Sequence, residues 1–134
     1  MRRALGTIAL LLLLAGCGDD TSARPPTGAP QATLVSATAG GGDVETRATD
    51  ITDDAALASY VEQFGDSLAN KVTRAAEEVD GDVVLAQVVS VGCDVPPSAH
   101  VDGDVIVPAK VPSPMTECFA PVTTVGVAAR QSPN

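Results

Sequence analysis

The chain has 134 residues, enough for one domain with a modest core, and its formal net charge is −9. A chain this acidic is not expected to bind nucleic acid, and its field repels anionic lipid head groups. Aromatic residues make up 2% of the chain and tryptophan is absent, so we do not expect a stacking platform for bases or sugars.

The amino terminus is organised like a targeting signal. Arg2 and Arg3 form a charged region, and the leucine-rich run at positions 4–14 is shorter than the roughly 20 residues that a membrane-spanning helix needs. The residues that end this region are Leu14-Ala15-Gly16-Cys17, and they resemble the lipobox of bacterial lipoproteins. The alternatives to a lipoprotein signal are the signal peptide of an ordinary secreted protein and a membrane anchor that is never cut.

In bacterial lipoproteins the lipobox cysteine carries a diacylglyceryl group, and the signal peptide is cut just before that cysteine. The resemblance implies that residues 1–16 are removed and that Cys17 is lipidated. It also implies a cell-membrane protein on the extracytoplasmic face, held by acyl chains whose buried methylenes contribute about 0.8 kcal/mol each. Segment 17–30 lacks apolar periodicity, so we expect a disordered tether leading to a single domain at 31–134.

The domain is predicted to begin with a β-hairpin. Segments 33–38 and 44–49 are β-prone, and Gly40-Gly41-Gly42-Asp43 between them supplies the positive φ angles of a tight turn. This glycine cluster does not indicate a phosphate-binding loop, because no Lys-Ser/Thr pair follows it and no helix opens directly after it.

Region 53–79 is predicted to be helical and to lay one apolar stripe on a sheet. The stripe steps by three and four positions through Leu57, Val61, Phe64, Leu68, Val72, Ala75 and Val79. A continuous helix of this length would measure about 40 Å, which is long for so small a domain. We therefore favour two helices with a break at Gly65-Asp66-Ser67, and one helix is the alternative.

Acidic residues crowd the end of the helical region. A solvated face and a turn are expected there, and a weak divalent-cation site is the alternative. A calcium loop is not indicated, because Asp102-Gly103-Asp104 runs into Val105 and lacks its third acidic ligand. The crowded residues are Glu77, Glu78, Asp80 and Asp82.

Two further segments are predicted to be strands. Val83–Val91 is apolar on both faces, as in a central strand, and its Gln87 must find hydrogen bonds if it is buried. Segment 122–129 is rich in Val and Thr, and Gly126 within it marks close packing or a bulge.

Cys93 and Cys118 are predicted to form a disulfide, because the implied compartment permits one. If the strands that Cys93 ends and Cys118 begins are antiparallel, both cysteines lie at the same end of the sheet. Two free buried thiols are the alternative. A metal site is not expected, since two cysteines and one histidine are not a zinc set.

The predicted order is therefore β-β-α-α-β-β-β, a two-layer α+β domain with helices on an antiparallel sheet. The domain also resembles small lipoproteins of GC-rich bacteria, a resemblance that implies location and no chemistry.

The loop between the cysteines, residues 94–117, is the candidate binding surface, because prolines pre-order it and Val105-Ile106-Val107 can add a short strand. We expect a non-enzymatic binding or accessory module with no cofactor and an envelope protein as its partner. A small hydrolase using His100 and a peptidase inhibitor that presents this loop are the alternatives. The candidate binding residues are Val95, Pro96, Pro97, Ser98 and His100.

Overall fold

The structure is a computed structural model that describes residues 27–132. Cys17 with its lipobox, the predicted signal peptide and most of the predicted tether lie outside the described residues. The elements are β1 (Thr33–Thr38), β2 (Thr49–Asp50), α1 (Asp54–Val61), α2 (Asp66–Glu78), β3 (Val83–Gly92), β4 (Ala99–Asp102), β5 (Val105–Pro108) and β6 (Val122–Arg130). This order confirms the α+β class and adds one strand, β4. Across residues 27–132, the two helices are too short or too polar to cross a membrane.

Four strands form an antiparallel sheet in the order β1-β6-β3-β2. β3 and β6 are its central strands, and the five residues from Leu85 to Val89 are all buried. The prediction of a central strand covered on both faces over part of its length is confirmed. A register shift between Val88 and Ser90 marks a bulge in β3.

The predicted hairpin between segments 33–38 and 44–49 is wrong. β1 pairs with β6, whereas β2 pairs with β3 at the other edge of the sheet. The glycines instead carry the chain across the junction of the two helices, where Gly65 donates its N–H to the Gly40 carbonyl at 2.9 Å. A Cβ atom on Gly42 would lie 2.7 Å from the Phe64 ring, so close packing as well as a positive φ requires glycine.

The helical region is two helices, as predicted. Asp53 caps α1 by accepting the Ala56 N–H at 2.8 Å, and α2 begins directly after Gly65. The two helices cover one face of the sheet with the predicted apolar stripe. The core on this face consists of Ile51, Tyr60, Phe64, Leu68, Val72, Ala75, Ala86, Val88, Val125 and Val127.

The opposite face is covered by a separate hairpin made of β4 and β5. Ile106 of β5 packs on Gly126, where an added Cβ would lie 2.8 Å from the Ile106 Cγ2, so Gly126 marks close packing as predicted. Gln87 is buried, and both polar atoms of its amide are hydrogen-bonded: its Oε1 accepts the Ile106 N–H at 2.7 Å, and its Nε2 donates to the Glu45 carbonyl at 2.8 Å. The core on this face consists of Leu85, Val89, Ala99, Val101, Ile106 and Ala128.

Candidate functional site: the disulfide-clasped end of the sheet

The two central strands bring Cys93 and Cys118 to the same end of the sheet. Cys93 directly follows β3, Cys118 precedes β6, and the register pairs Gly92 with Val122. The Cα atoms of the cysteines are 5.4 Å apart and their sulfur atoms are bonded, which confirms the predicted disulfide. In the chain-entropy model, closing a loop of this size disfavours the unfolded chain by roughly 3–4 kcal/mol.

Much of the clasped loop is the hairpin β4–β5, and the predicted strand Val105-Ile106-Val107 is confirmed as part of β5. Two connections remain, at residues 93–98 and 109–121. Hydrogen bonds tie them together: Met115 donates its N–H to Asp94 Oδ2 at 2.7 Å, and Ala109 donates its N–H to the Ser98 carbonyl at 2.8 Å. The two connections therefore form a single surface around the disulfide.

Three of the predicted binding residues lie on this surface and are exposed: Val95, Pro97 and Ser98. Pro96 lies between them in sequence but is buried, so it supports the connection and offers little area to a partner. The structure thus brings together only part of the predicted binding set.

The prediction that His100 is a loop residue is wrong. His100 lies in β4, opposite Val107 of β5, and it also forms a bridge with Gln31. His100 is half-buried, because strand pairing on both of its sides makes it part of the hairpin. The groove of about 140 Å³ between α2 and β1 is not lined by His100.

Large apolar side chains are exposed close to the disulfide, and we call this group the apolar end. Four of the five large apolar residues exposed in residues 27–132 belong to it. Scattered single apolar residues are normal on a protein surface, whereas these four all lie within three positions of a disulfide cysteine along the chain, which makes this end a candidate interaction site. The members of the apolar end are Val91, Val95, Met115 and Phe119.

Phe119 is the most exposed member of the apolar end, at 113% of the reference value for its residue type. It is one of only two phenylalanines in the chain, and the other, Phe64, is in the core. Exposing the whole ring to water forgoes about 1.5–3 kcal/mol of burial free energy. One of the two phenylalanines therefore lies on a surface where a partner can cover it.

The sequence prediction did not include Val91, Met115 or Phe119 in the binding surface. A local signal for Phe119 exists: it lies between Cys118 and Pro121, in a segment without apolar periodicity. A side chain held between a disulfide and a proline has no strand or helix face to turn inward. Exposure at Val91 depends on where β3 leaves the cover of the helices, which only the folded chain shows.

The two connections that carry most of the apolar end also carry charged side chains. Asp94 is half-buried beneath Met115, whereas Lys110 and Glu117 are exposed in the second connection. An apolar centre with a polar rim is the common arrangement of protein–protein interfaces.

The acidic residues at the end of α2 do not form a metal-binding arrangement. Among residues 27–132, no three His, Cys, Asp or Glu side chains are grouped so that they could hold a metal ion. Asp82 instead accepts the Ser132 N–H at 3.1 Å through its Oδ2 atom. This carboxylate thereby fastens the chain that follows β6.

Comparison with known proteins finds no protein-family model, no curated protein and no solved structure that matches the chain. A functional interpretation therefore depends on the sequence, the fold and the apolar end.

Proposed function

We propose that this protein is an extracytoplasmic membrane lipoprotein, anchored through lipidated Cys17, that serves as a non-enzymatic binding module of the cell envelope. The observation that carries the binding role is the full exposure of Phe119 in the apolar end. A partner protein with an apolar recess would cover the phenylalanine ring and Met115, whose flexible side chain adapts to an irregular surface.

The topology favours a partner protein over the membrane surface as the occupant of the apolar end. β1 runs from Thr33, opposite Val127, to Thr38, opposite Val122. Val122 lies at the disulfide end, so the chain enters the domain at the opposite end of the sheet. Six residues of strand separate the two ends by about 20 Å. A tether from Cys17 therefore attaches at the end of β1 opposite the disulfide.

The charge of the chain supports the same choice. Its formal net charge of −9, which becomes −11 when Arg2 and Arg3 leave with the signal peptide, opposes approach to anionic lipid head groups. Anchoring through acyl chains at Cys17 avoids this repulsion, since the tether holds the domain away from the bilayer. The apolar end is then free to meet a protein in the envelope.

A photo-cross-linking experiment tests the binding role. A photo-reactive residue replaces Ser98, which is exposed in the same connection as Val95 but is not a member of the apolar end. We expect one envelope protein to be recovered repeatedly from detergent-solubilised membranes, and Phe119→Ser to reduce its yield about tenfold or more. Val44→Ser is the matched control for Phe119→Ser, because Val44 is also a large apolar residue that is exposed, and it lies outside the apolar end. Its side chain is 57% exposed, the same fraction as Met115 of the apolar end.

A cross-link whose yield is the same in the wild type and in Phe119→Ser would contradict the apolar end as the working surface. Recovery of lipid in place of protein would show that this surface meets the bilayer instead.

The anchoring role has a separate test. We expect the intact mass of the detergent-extracted protein to show cleavage before Cys17 and addition of acyl chains. Cys17→Ser should abolish the acyl chains and the cleavage that depends on them. A wild-type protein whose intact mass retains residues 1–16 and carries no acyl chains would instead identify an uncut anchor.

A further inference from the structure

The edge strand β1 is paired along only part of its outer side. β6 bonds its inner side. On the outer side, Pro30 accepts the Val101 N–H at 2.8 Å and Ala32 donates its N–H to Ala99 at 2.9 Å, so β4 covers only the approach to β1. Within residues 27–132, no strand continues this outer pairing along β1 itself.

The outer side of β1 presents backbone groups ready for pairing. In an antiparallel pair, alternate residues turn their N–H and C=O groups away from the neighbouring strand. Ala32 bonds outward to β4, and the Ser36 carbonyl accepts from Lys71 Nζ at 2.7 Å. The even-numbered residues therefore face outward, which places the backbone groups of Leu34, Ser36 and Thr38 on the open side.

A groove with positive charge lies beside this open side. α2 packs over β1, and the groove between them has a volume of about 140 Å³. Lys71 and Arg74 are three positions apart on α2, so they project from the same side of the helix. No carboxylate in residues 27–132 lies within 4.0 Å of either cationic group. The groove is lined by Thr33, Val35, Lys71, Arg74, Ala75 and Glu78.

We propose that the groove between β1 and α2 binds an extended acidic segment of a partner protein, which adds to the sheet as a strand beside β1. The guest backbone would pair with Leu34, Ser36 and Thr38, and its carboxylates would meet Lys71 and Arg74. On binding, the Lys71 ammonium leaves the Ser36 carbonyl for a guest carboxylate, and a guest N–H takes its place.

The spacing of the two cations selects a pattern in the guest. Lys71 and Arg74 are separated by about 4.5 Å of helix rise, and alternate residues on one face of a strand are about 7 Å apart. Both side chains are long enough to bridge that difference. The guest should therefore carry two acidic residues separated by one other residue, and Glu78 at the groove disfavours a longer acidic run.

This surface is distinct from the apolar end and goes beyond the binding role proposed above. A lysine that covers an edge strand, as Lys71 of α2 covers Ser36 of β1, can also act solely to block unwanted strand pairing. In that case, removing Lys71 would increase pairing of any extended chain, whereas recognition predicts that removing it weakens binding of an acidic one.

Peptide binding to the full-length chain in detergent tests the proposal. The probe is a fluorescent capped peptide, Thr-Glu-Val-Glu-Val-Thr, and the readout is fluorescence polarisation. The double variant Lys71→Gln with Arg74→Gln should weaken binding about tenfold, since two exposed ion pairs contribute roughly 1 kcal/mol or less each. Lys110→Gln is the matched control, because Lys110 is also exposed and lies in the clasped loop.

Backbone methylation of the peptide tests strand addition separately from charge. Two methylated peptides are compared, one with N-methyl groups on the odd-numbered residues and one with them on the even-numbered residues. Only the peptide whose methylated nitrogens would face β1 should lose binding, while both peptides keep their carboxylates. The parent peptide should also bind more weakly as salt is raised.

Several results would overturn the proposal: no binding of the parent peptide, equal binding by the double variant, or equal binding by both methylated peptides. A rise in dimer content on Lys71→Gln, measured by light scattering, would assign this lysine to edge protection instead. Phe119→Ser should leave peptide affinity unchanged, so a failure here is distinguishable from a failure of the apolar end.

Discussion

The hydroxyl of Tyr60 donates a hydrogen bond to the Glu45 carboxylate at 2.6 Å, joining α1 to the segment that follows the glycine cluster. The same carboxylate oxygen accepts the Val88 N–H at 2.7 Å, and the Glu45 N–H donates to the Val88 carbonyl at 3.0 Å. One acidic residue therefore connects a helix to the central strand β3. These bonds also explain why segment 44–49 lies against β3 and not against β1.

Loss of the Tyr60 hydroxyl is expected to destabilise the fold. Tyr60→Phe keeps the ring in the core but removes a hydrogen bond to a charged acceptor, so unfolding free energy should fall by about 1.5–3 kcal/mol. Urea unfolding followed by circular dichroism measures the change. Arg47→Ala is the control, because the Arg47–Asp104 ion pair is exposed and should change stability by less than about 1 kcal/mol. An equal effect from both variants would contradict the importance of the Tyr60–Glu45 bond.

Alkaline pH should destabilise the protein through the same residue. Burial, and next the Glu45 carboxylate, raise the pKa of Tyr60 far above the ordinary value of 10.0. Below pH 10 this phenol is protonated in both the folded and the unfolded chain. Above pH 10 the unfolded chain loses the proton first, so stability falls as pH rises. Urea unfolding at stepped pH should show this fall, and Tyr60→Phe should reduce it.

The chain contains one tyrosine and no tryptophan, so ultraviolet absorbance of tyrosinate reports Tyr60 alone. We expect tyrosinate to form at higher pH in the native protein than in the urea-unfolded chain. Formation at the same pH in both would contradict the assigned environment.

Contact between Gly126 and Ile106 should show strong coupling. Gly126→Ala places a Cβ 2.8 Å from Ile106 Cγ2 and is expected to cost about 1–3 kcal/mol. Ile106→Ala alone should cost about 2–5 kcal/mol, because it opens a cavity under the hairpin. In the double variant the added methyl has room, so the two losses should not add. Additive losses in a urea-unfolding cycle would rule out this steric contact.

Two adjacent threonines of β6 should respond oppositely to the same change. The Thr124 hydroxyl is buried and, like that of its register partner Ser90, has no hydrogen-bond partner within residues 27–132. Thr124→Val removes this unsatisfied group with little change of shape, so stability should rise by about 1 kcal/mol. The Thr123 hydroxyl donates to the Gly41 carbonyl at 2.9 Å, and Thr123→Val should lower stability by about 1 kcal/mol. Thermal unfolding compares the two, and a loss in both would contradict the difference.

Removal of the disulfide should weaken the apolar end before the rest of the fold. Cys93→Ser with Cys118→Ser is expected to lower unfolding free energy by roughly 3–4 kcal/mol. Hydrogen exchange should accelerate most at the Met115 amide, which depends on Asp94 being held beside it. Protection at Val125, in the middle of the sheet, should change least and serves as the internal reference. Uniform acceleration would indicate that the bond stabilises the whole domain equally.

Much of the local structure could be predicted from the sequence. The apolar steps of three and four indicate helix and its buried side, and the length of the region together with Gly65-Asp66-Ser67 favours a division into two helices. The apolar run around Gln87 likewise predicts a strand covered on both faces. These features depend on near neighbours along the chain, so composition and spacing are sufficient to find them. Cys93 and Cys118 are the two cysteines outside the lipobox, so their pairing could be predicted although they lie 25 positions apart.

The sequence by itself determined the helices, the central strands and the disulfide of this protein, whereas strand partners and exposure were decided only by the tertiary structure. β1 bonds β6 across most of the chain, because backbone hydrogen bonds are the same for every partner and only side-chain packing selects among them. His100 lies in β4 because the hairpin β4–β5 forms there, and Phe119 is exposed because neither this hairpin nor the helices extend over it. Such boundaries arise from contacts between distant segments, which no local pattern records.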